Sequence, residues 1–329
     1  MVTNRLWRNL SAFDRSTRRW APIPWRNAQG QMTQRPSQNV DTFCTQNLSL
    51  LSWNIDAFSS RPVSRAKLIH DHILEKLTKS PDIIFLQEVT SDVRVFLLND
   101  ARVRDAFLVT DAEDQTSFED VPFAIMTLLS RERFASGGLD SQKEGEKEKF
   151  MLGRVSRVTP LPSKYKRDAL YVDIITTAPE EGEGGRTKVY RLINVHLDSL
   201  WDTLHYRAQQ MEILANVLRE PGCSGGIIAG DFNAMRPEDD GLVDENGLVD
   251  AWVALHDGKA EFDGATWGVD VERRDGLGRG RLDKVAMMGL KVKEMEVLRP
   301  GTIEVPRPGE KPVEIPWSDH CGLRCTFTI

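Results

Sequence analysis

Six short stretches of the chain carry polar residues that could do chemistry together, each set at the end of an apolar run or interrupting one. They are Asn54 in SWNIDAF, Glu88 in FLQEV, His196 in NVHLDS, Asp231 and Asn233 in AGDFNA, Asp283 in GRLDKV, and Asp319 and His320 in WSDHCGL. Polar groups at strand ends are where a rigid sheet presents function to a cleft. Carboxylates, amides and water form a hard-oxygen donor set that suits Mg²⁺ or Mn²⁺, whereas no Cys–His grouping suits zinc. Mg²⁺ typically takes one or two protein carboxylates and fills its octahedron with waters and phosphate oxygens. Two histidines and two asparagines then remain to stabilise charge developing on phosphorus, and a further aspartate to orient and deprotonate a water. The chemistry that follows is metal-assisted hydrolysis of a phosphoester.

Other chemistries lack their residues. No serine stands in GxSxG, no GxxxxGK[ST] loop occurs, and GLGRG at 276–280 lacks the strand-then-helix setting of a dinucleotide site. The four cysteines, Cys44, Cys223, Cys321 and Cys325, form no CxxC pair and read as buried free thiols of a reducing compartment. No run reaches the ~18 apolar residues of a membrane span, and the N-terminus lacks the apolar stretch of a secretory signal.

The elements that must position these residues are legible as alternating strands and helices. Residues 48–54 (LSLLSWN) read as a strand, and residues 65–79 carry Leu68, Ile69, Ile73, Leu74 and Leu77 at helical spacing. Pro81 stops that helix before a largely buried strand, DIIFLQEV, at 82–89. Further strands are expected at 123–129, 169–176, 189–195, 226–229, 280–288 and 321–329, with a helix at 203–218. Helical crossovers together with hairpin-like turns imply a mixed sheet in one α/β (α+β) domain. The charged, Gly-rich stretches 136–149 and 178–186 read as surface excursions.

Charge divides the chain unevenly. Residues 1–40 hold seven Arg, no Lys and only Asp14, a net +6 in a chain of net −6, so residues 41–329 carry −12. An acidic body handles nucleic acid only locally, because non-specific affinity comes mainly from neutralising phosphates. Residues 1–43 therefore read as an Arg/Trp-rich tail before a catalytic domain over 44–329. The tail is expected to track a nucleic-acid strand, direct the chain to mitochondria, or pack its tryptophans on the domain.

Taken in order, WN, QE, a strand-terminal HL, GDxN, R-x-D and SDH resemble the endonuclease/exonuclease/phosphatase superfamily, which includes deoxyribonuclease I, abasic-site endonucleases, deadenylases, sphingomyelinases and inositol polyphosphate 5-phosphatases. The resemblance covers about residues 48–329. It implies a deoxyribonuclease I-like four-layer sandwich, two packed mixed β-sheets flanked by helices, with the site at one end. Within the superfamily, SWNIDAF, PDIIFLQEV, PLPSKYKRDALYVD, NVHLDS, LVDAWVAL, ATWG and PWSDHCGL resemble the boxes of the tyrosyl-DNA phosphodiesterase 2 branch. GDFN departs from that branch's GDTN and is shared with deadenylases. Arg236 falls one place later than the branch's arginine.

Carried over by position, the resemblance implies that Glu88 binds Mg²⁺ (or Mn²⁺) directly while Asn54 and Asp319 support the metal and its waters. Asp231 activates the water, and Asn233, His196 and His320 hold the phosphate, with Asp283 fixing the His320 ring. Ser199 and Arg207 become phosphate candidates, and Trp267 and Leu277 an apolar wall beside the nucleic-acid end, with Trp201 left to the core. The implied function is hydrolysis of 5′-phosphotyrosyl DNA in repair of stalled topoisomerase adducts. Its alternatives are a deadenylase or other RNA exonuclease, or a sugar-phosphate or lipid phosphatase. The expected setting is a nuclear or cytoplasmic monomer acting on a single-stranded terminus, without a membrane.

Overall fold

The computed structural model describes residues 4–24, 46–135, 149–178, 186–256, 264–269 and 278–329. Along the chain, β1 (Asn4–Arg8), β2 (Leu10–Asp14) and β3 (Arg19–Pro22) precede β4 (Asn47–Asn54), α1 (Pro62–Asp71) and β5 (Ile83–Val89). After α2 (Ser91–Asn99) and α3 (Ala101–Ala106) come β6 (Phe107–Thr110), β7 (Ala124–Ser130), β8 (Phe134–Ala135), β9 (Phe150–Thr159), β10 (Ala169–Ala178) and β11 (Arg186–His196). Then α4 (Leu204–Leu218) leads to β12 (Gly225–Asp231), α5 (Leu242–Glu245), β13 (Val249–Asp250), α6 (Ala251–His256) and β14 (Asp283–Met288). The last strands are β15 (Lys291–Leu298), β16 (Thr302–Val305), β17 (Val313–Pro316) and β18 (Gly322–Thr328).

These strands build two large sheets, with β16 and β17 forming a separate two-stranded one. One runs β1-β9-β10-β11-β12-β14-β13 with β8 beside β9, and the other runs β15-β18-β4-β5-β7-β6-β2-β3. Each is mixed: β11 pairs β12 in parallel, β4 pairs β5 in parallel, and most other neighbours are antiparallel. One apolar core, including Leu50, Phe85, Leu170, Leu192, Ile227 and Phe327, lies between the sheets. A second joins the β4–β5 face to α1 and α2 through Leu51, Ile69, Val93 and Leu97. A third joins the β11–β12 face to α4 through Ile193, Met211, Leu214 and Ile228. The central strands thus bury both faces, which is why they read as near-continuous apolar runs rather than alternating ones. Helix, sheet, sheet, helix is the four-layer sandwich that the sequence implied.

Helix α1 begins earlier and stops sooner than its apolar spacing predicts. Pro62 occupies the first turn, where its missing N–H is not needed. After Asp71 the chain continues as a π-helical turn at His72–Lys76.

The larger correction concerns residues 4–22, which are not a tail. Strand β1 adds to β9 on one sheet, and β2 with β3 adds to β6 on the other, so the segment clasps both sheets along one side of the sandwich. Leu10 is buried in the inter-sheet core, and Trp20 donates from Nε1 to the Leu98 carbonyl at 3.1 Å. Arginines obscured this reading because a strand interleaved with Arg looks solvated; here Arg8 meets Asp114 at 3.3 Å and Arg15 meets Asp105 at 2.8 Å. Part of the charge split between the two ends of the sequence is therefore satisfied within the fold. Residues 25–45, and almost all of the two excursions at 136–149 and 178–186, lie outside the described residues.

Candidate functional site

Three adjacent strands bring three site residues into line. His196 at the end of β11 is in register with Asp231 at the end of β12, and Asp231 with Asp283 at the start of β14. The close approach of β11 and β12 depends on glycine: a Cβ on Gly230 would sit 2.0 Å from the Val195 carbonyl oxygen. From the other sheet, β4 ends at Asn54, and its parallel neighbour β5 carries Glu88 one residue before its end. A bulge between Leu86 and Val89 puts Glu88 at φ 58, which re-aims its side chain.

The two sheets meet through these side chains. Asn54 Nδ2 donates to Asp231 Oδ2 at 2.9 Å and to Glu88 Oε1 at 3.3 Å. The Ala57 amide donates to Glu88 Oε2 at 2.8 Å, and the Asn233 amide to Asp231 Oδ1 at 2.8 Å. His196 Nε2 lies 3.4 Å from Asp231 Oδ2 and 3.9 Å from Glu88 Oε1. His320 Nδ1 pairs with Asp283 Oδ2 at 2.8 Å, leaving Nε2 3.7 Å from Asp231 Oδ2. The Asp283–His320 pair is thus a short contact, of the kind that fixes a histidine tautomer. Asp319 accepts from Trp267 Nε1 at 3.0 Å on Oδ2, and its Oδ1 lies 4.0 Å from His320 Nε2. Trp267 therefore braces a site carboxylate, while Leu277 lies outside the described residues.

Residues with no motif of their own hold this arrangement. The fully buried Arg65 donates from Nη1 to the carbonyls of Ile55 (3.1 Å) and Trp317 (2.7 Å), and from Nη2 to those of Asp56 and Ser59. One guanidinium thereby ties the loop after Asn54 to the loop before Asp319. Asp198 accepts from Ser163 Oγ (2.5 Å), the Lys164 amide (2.7 Å) and Gln210 Nε2 (3.0 Å), which locks the 163–168 segment against the loop after His196.

That segment supplies the cation that sequence reasoning missed. Arg167 Nη2 lies 3.2 Å from His196 Nε2 and donates to Ser199 Oγ at 2.9 Å. Its guanidinium stands 5.1 Å from the Phe123 ring centroid and 5.6 Å from that of Tyr165. Nothing in KYKRD separates this arginine from surface charges; its nearness to a histidine is a tertiary fact. Arg207, the expected phosphate ligand, is corrected to a structural role. It is 0% exposed and paired in bidentate fashion with Asp239 at 2.7 and 2.8 Å. Its Nη1 donates to the carbonyls of Asp198 and Leu200 and to Thr203 Oγ1. Trp201 is likewise not in the core but 53% exposed.

Burial and charge set the protonation states. Burial pushes the Asp231 carboxyl up to about 7, against the opposing pull of His320. Burial also raises Glu88, with Asp319 adding to the shift and the Ala57 amide opposing it. His196 is held well below the usual histidine value by burial and by Arg167 and His320, so it is neutral. Burial would depress His320 too, but the carboxylates of Asp283 and Asp231 override it and hold the ring well above that value, as a cation. Two histidines in one site thus take opposite states, one a neutral imidazole and the other an imidazolium.

The donor set fits a hard divalent cation. Asp319 raises the Glu88 carboxyl as a like charge, and Glu88 Oε1 is only loosely engaged by Asn54. Residues Asp231, Asp283 and His320 also place one ligand atom each within 4.8 Å of one another. A cationic His320 whose Nδ1 is paired with Asp283 has no lone pair to offer there, so Glu88 with Asp319 and Asn54 is the better cation site. Beside it, a cavity of about 350 Å³ opens on His196 and Ser199, lined by Phe58, Phe123, Tyr165, Arg167 and Leu200 among others.

Comparison with known proteins points one way. The model of the Endonuclease/Exonuclease/phosphatase family matches residues 51–320. No curated protein sequence matches the chain. Among solved structures, a D. rerio TDP2 humanised by 14 mutations superposes with a TM-score of 0.59 at 20% identity, over 86% of this chain and 99% of that one. A second, D. rerio TDP2 complexed with single strand DNA product, gives 0.58 at 20% identity over 86% and 99%. The human Nocturnin catalytic domain with bound sulfate gives 0.53 at 20% identity over 86% and 95%. At these identities the likeness establishes the fold.

Proposed function

The chain belongs to the endonuclease/exonuclease/phosphatase family and is a hydrolase of phosphoester bonds, and from that premise we propose that it is a Mg²⁺-dependent phosphodiesterase releasing tyrosine from the 5′ end of DNA. The observation that carries this reading is the aromatic-walled cavity that Arg167 lines beside His196 and Ser199. Its volume is that of a small-molecule pocket, and rings of Phe58, Phe123 and Tyr165 suit an aryl group. The single strand DNA product held by D. rerio TDP2 supports a nucleic-acid end as the other half of the substrate.

The chain's own residues then divide the work. Asp231, with its pKa lifted by burial and its oxygens held by Asn54 and the Asn233 amide, orients the attacking water and takes its proton. The His320 cation and Arg167 face the phosphate and stabilise charge that grows on its oxygens. His196, neutral and stacked on Phe123 with ring centroids 5.5 Å apart, accepts from Arg167 at Nε2 and so positions that guanidinium without adding a charge. A phenolate leaves readily, because a phenol has a solution pKa near ~10, so little general-acid assistance is needed. When bound at Glu88, Asp319 and Asn54, Mg²⁺ supplies neutralisation of the phosphoryl oxygens.

GDFN, the form shared with deadenylases, favours one second reading: 3′ shortening of poly(A). The test is a set of substrates with one scissile phosphoester each: a 5′-tyrosyl oligonucleotide, poly(A), and a sugar or lipid phosphate. EDTA-sensitive release of tyrosine at the highest kcat/KM is expected. Faster shortening of poly(A) would overturn the branch assignment.

A further inference from the structure

The loop between His196 and α4 has a conformation its residues do not favour. Leu200 sits at φ 77 and ψ 159, a region that essentially only glycine enters freely. It is held there from beneath: Arg207 Nη1 donates to its carbonyl at 2.8 Å and Thr203 Oγ1 does so at 2.9 Å. Such a backbone persists only where its surroundings over-determine it, and here a buried guanidinium does so. The result is two large apolar side chains facing solvent beside the site, Leu200 at 50% and Trp201 at 53% exposed.

Trp201 does not stand alone. The Arg236 guanidinium lies 5.2 Å from its ring centroid, brought from the loop that follows Asp231 and Asn233. The pair therefore bridges the loops leaving β11 and β12, whose last residues are His196 and Asp231. Leu200 lines the aromatic cavity, and the exposed Trp201 follows it directly in the chain. The nearby charges are mixed: Arg236 also pairs with Glu238 at 3.0 Å and Lys164 with Asp202 at 2.9 Å. A flat ring with cations at its border, in a body of negative net charge, suits a stacked base better than a run of phosphates.

We propose that Trp201, backed by Arg236 and raised by the Leu200 turn, is a stacking platform for a nucleobase of the single strand whose end is being hydrolysed. It rests on the reading of this site as one that acts on a nucleic-acid terminus, and extends it to where the strand lies. Stacking on an aromatic side chain tolerates any base, so the platform gives affinity without sequence preference.

The test is fluorescence anisotropy with a labelled 5′-phosphorylated DNA octamer, a product strand, bound to the full chain in Ca²⁺. Trp201→Ala is expected to weaken binding roughly tenfold, and Trp201→Phe to recover most of the loss, because one ring stands in for another. Equal affinity of wild type and Trp201→Ala would overturn the platform, as would Trp201→Phe being as weak as Trp201→Ala, which would mark a packing role. The outcome is separable from that for the leaving group. A strand bound through Trp201 by a protein that releases no tyrosine leaves the platform standing and removes the tyrosyl reading. Tyrosine release with a strand bound independently of Trp201 does the reverse.

Discussion

Replacing Arg207 with Met separates a structural arginine from a phosphate ligand. In the fold its guanidinium is buried against Asp239, whose side chain is 1% exposed, through two contacts of 2.7 and 2.8 Å. Removing it leaves the Asp239 carboxylate buried with the Arg236 amide as its remaining donor, at 2.9 Å. Breaking such a pair from one side costs about 3–5 kcal/mol, most of it the penalty of the stranded charge. The carbonyls of Asp198 and Leu200 lose a charged donor as well. Against a typical total stability of roughly 5–15 kcal/mol this is a large fraction, corresponding to a melting point lower by roughly 10 °C. Urea unfolding followed by circular dichroism is the assay, with the midpoint falling at constant slope. Adding Asp239→Leu should restore more than half of the loss, since the lone charge is then gone. A single variant that loses less than about 1 kcal/mol and shows only a raised KM would refute the reasoning and return Arg207 to the substrate.

Three further outcomes are expected. Glu88→Gln should lower kcat/KM at ordinary Mg²⁺ by more than about a hundredfold with unchanged circular dichroism, because it removes a ligand charge and almost no volume; near-normal turnover would remove Glu88 from the metal site. Deleting residues 1–24 takes Leu10 out of the inter-sheet core and strips one outer strand from one sheet and two from the other, so stability should fall by at least about 2 kcal/mol; an unchanged urea midpoint would mean the clasp contributes nothing. Burial lowers the folded-state pKa of His70 to about 4 from 6.5, so the unfolded chain binds more protons between those values and stability is lost as pH falls. Between pH 7 and 5 wild type should lose about 2 kcal/mol more than His70→Gln, and parallel pH profiles for the two would contradict this.

Much of the site was legible because its residues end apolar strands. Asn54, Glu88, His196 and Asp231 each follow a run whose burial on both faces is visible in the sequence, and the sheets then bring those ends together across 2.9–3.9 Å. What failed was the assignment of long side chains. Arg207 lies on a helix whose apolar spacing identifies the buried stripe but not the partner, Asp239, that draws the arginine inward. Arg167 lies in an irregular segment, and only the lock between Asp198 and residues 163–164 turns it toward His196. The N-terminal strands escaped for another reason: Arg-rich alternation resembles a solvated arm until Asp105 and Asp114 are seen opposite it.

In the proposed reaction, water attacks a 5′ phosphate and expels a phenolate. Hydrolysis of a 5′-tyrosyl oligonucleotide in water enriched in oxygen-18, followed by mass spectrometry of both products, tests it most directly. Free, unlabelled tyrosine and an oligonucleotide of full length with one labelled oxygen on its 5′ phosphate are expected, both lost in EDTA. Shortened strands with the tyrosine still attached would contradict it.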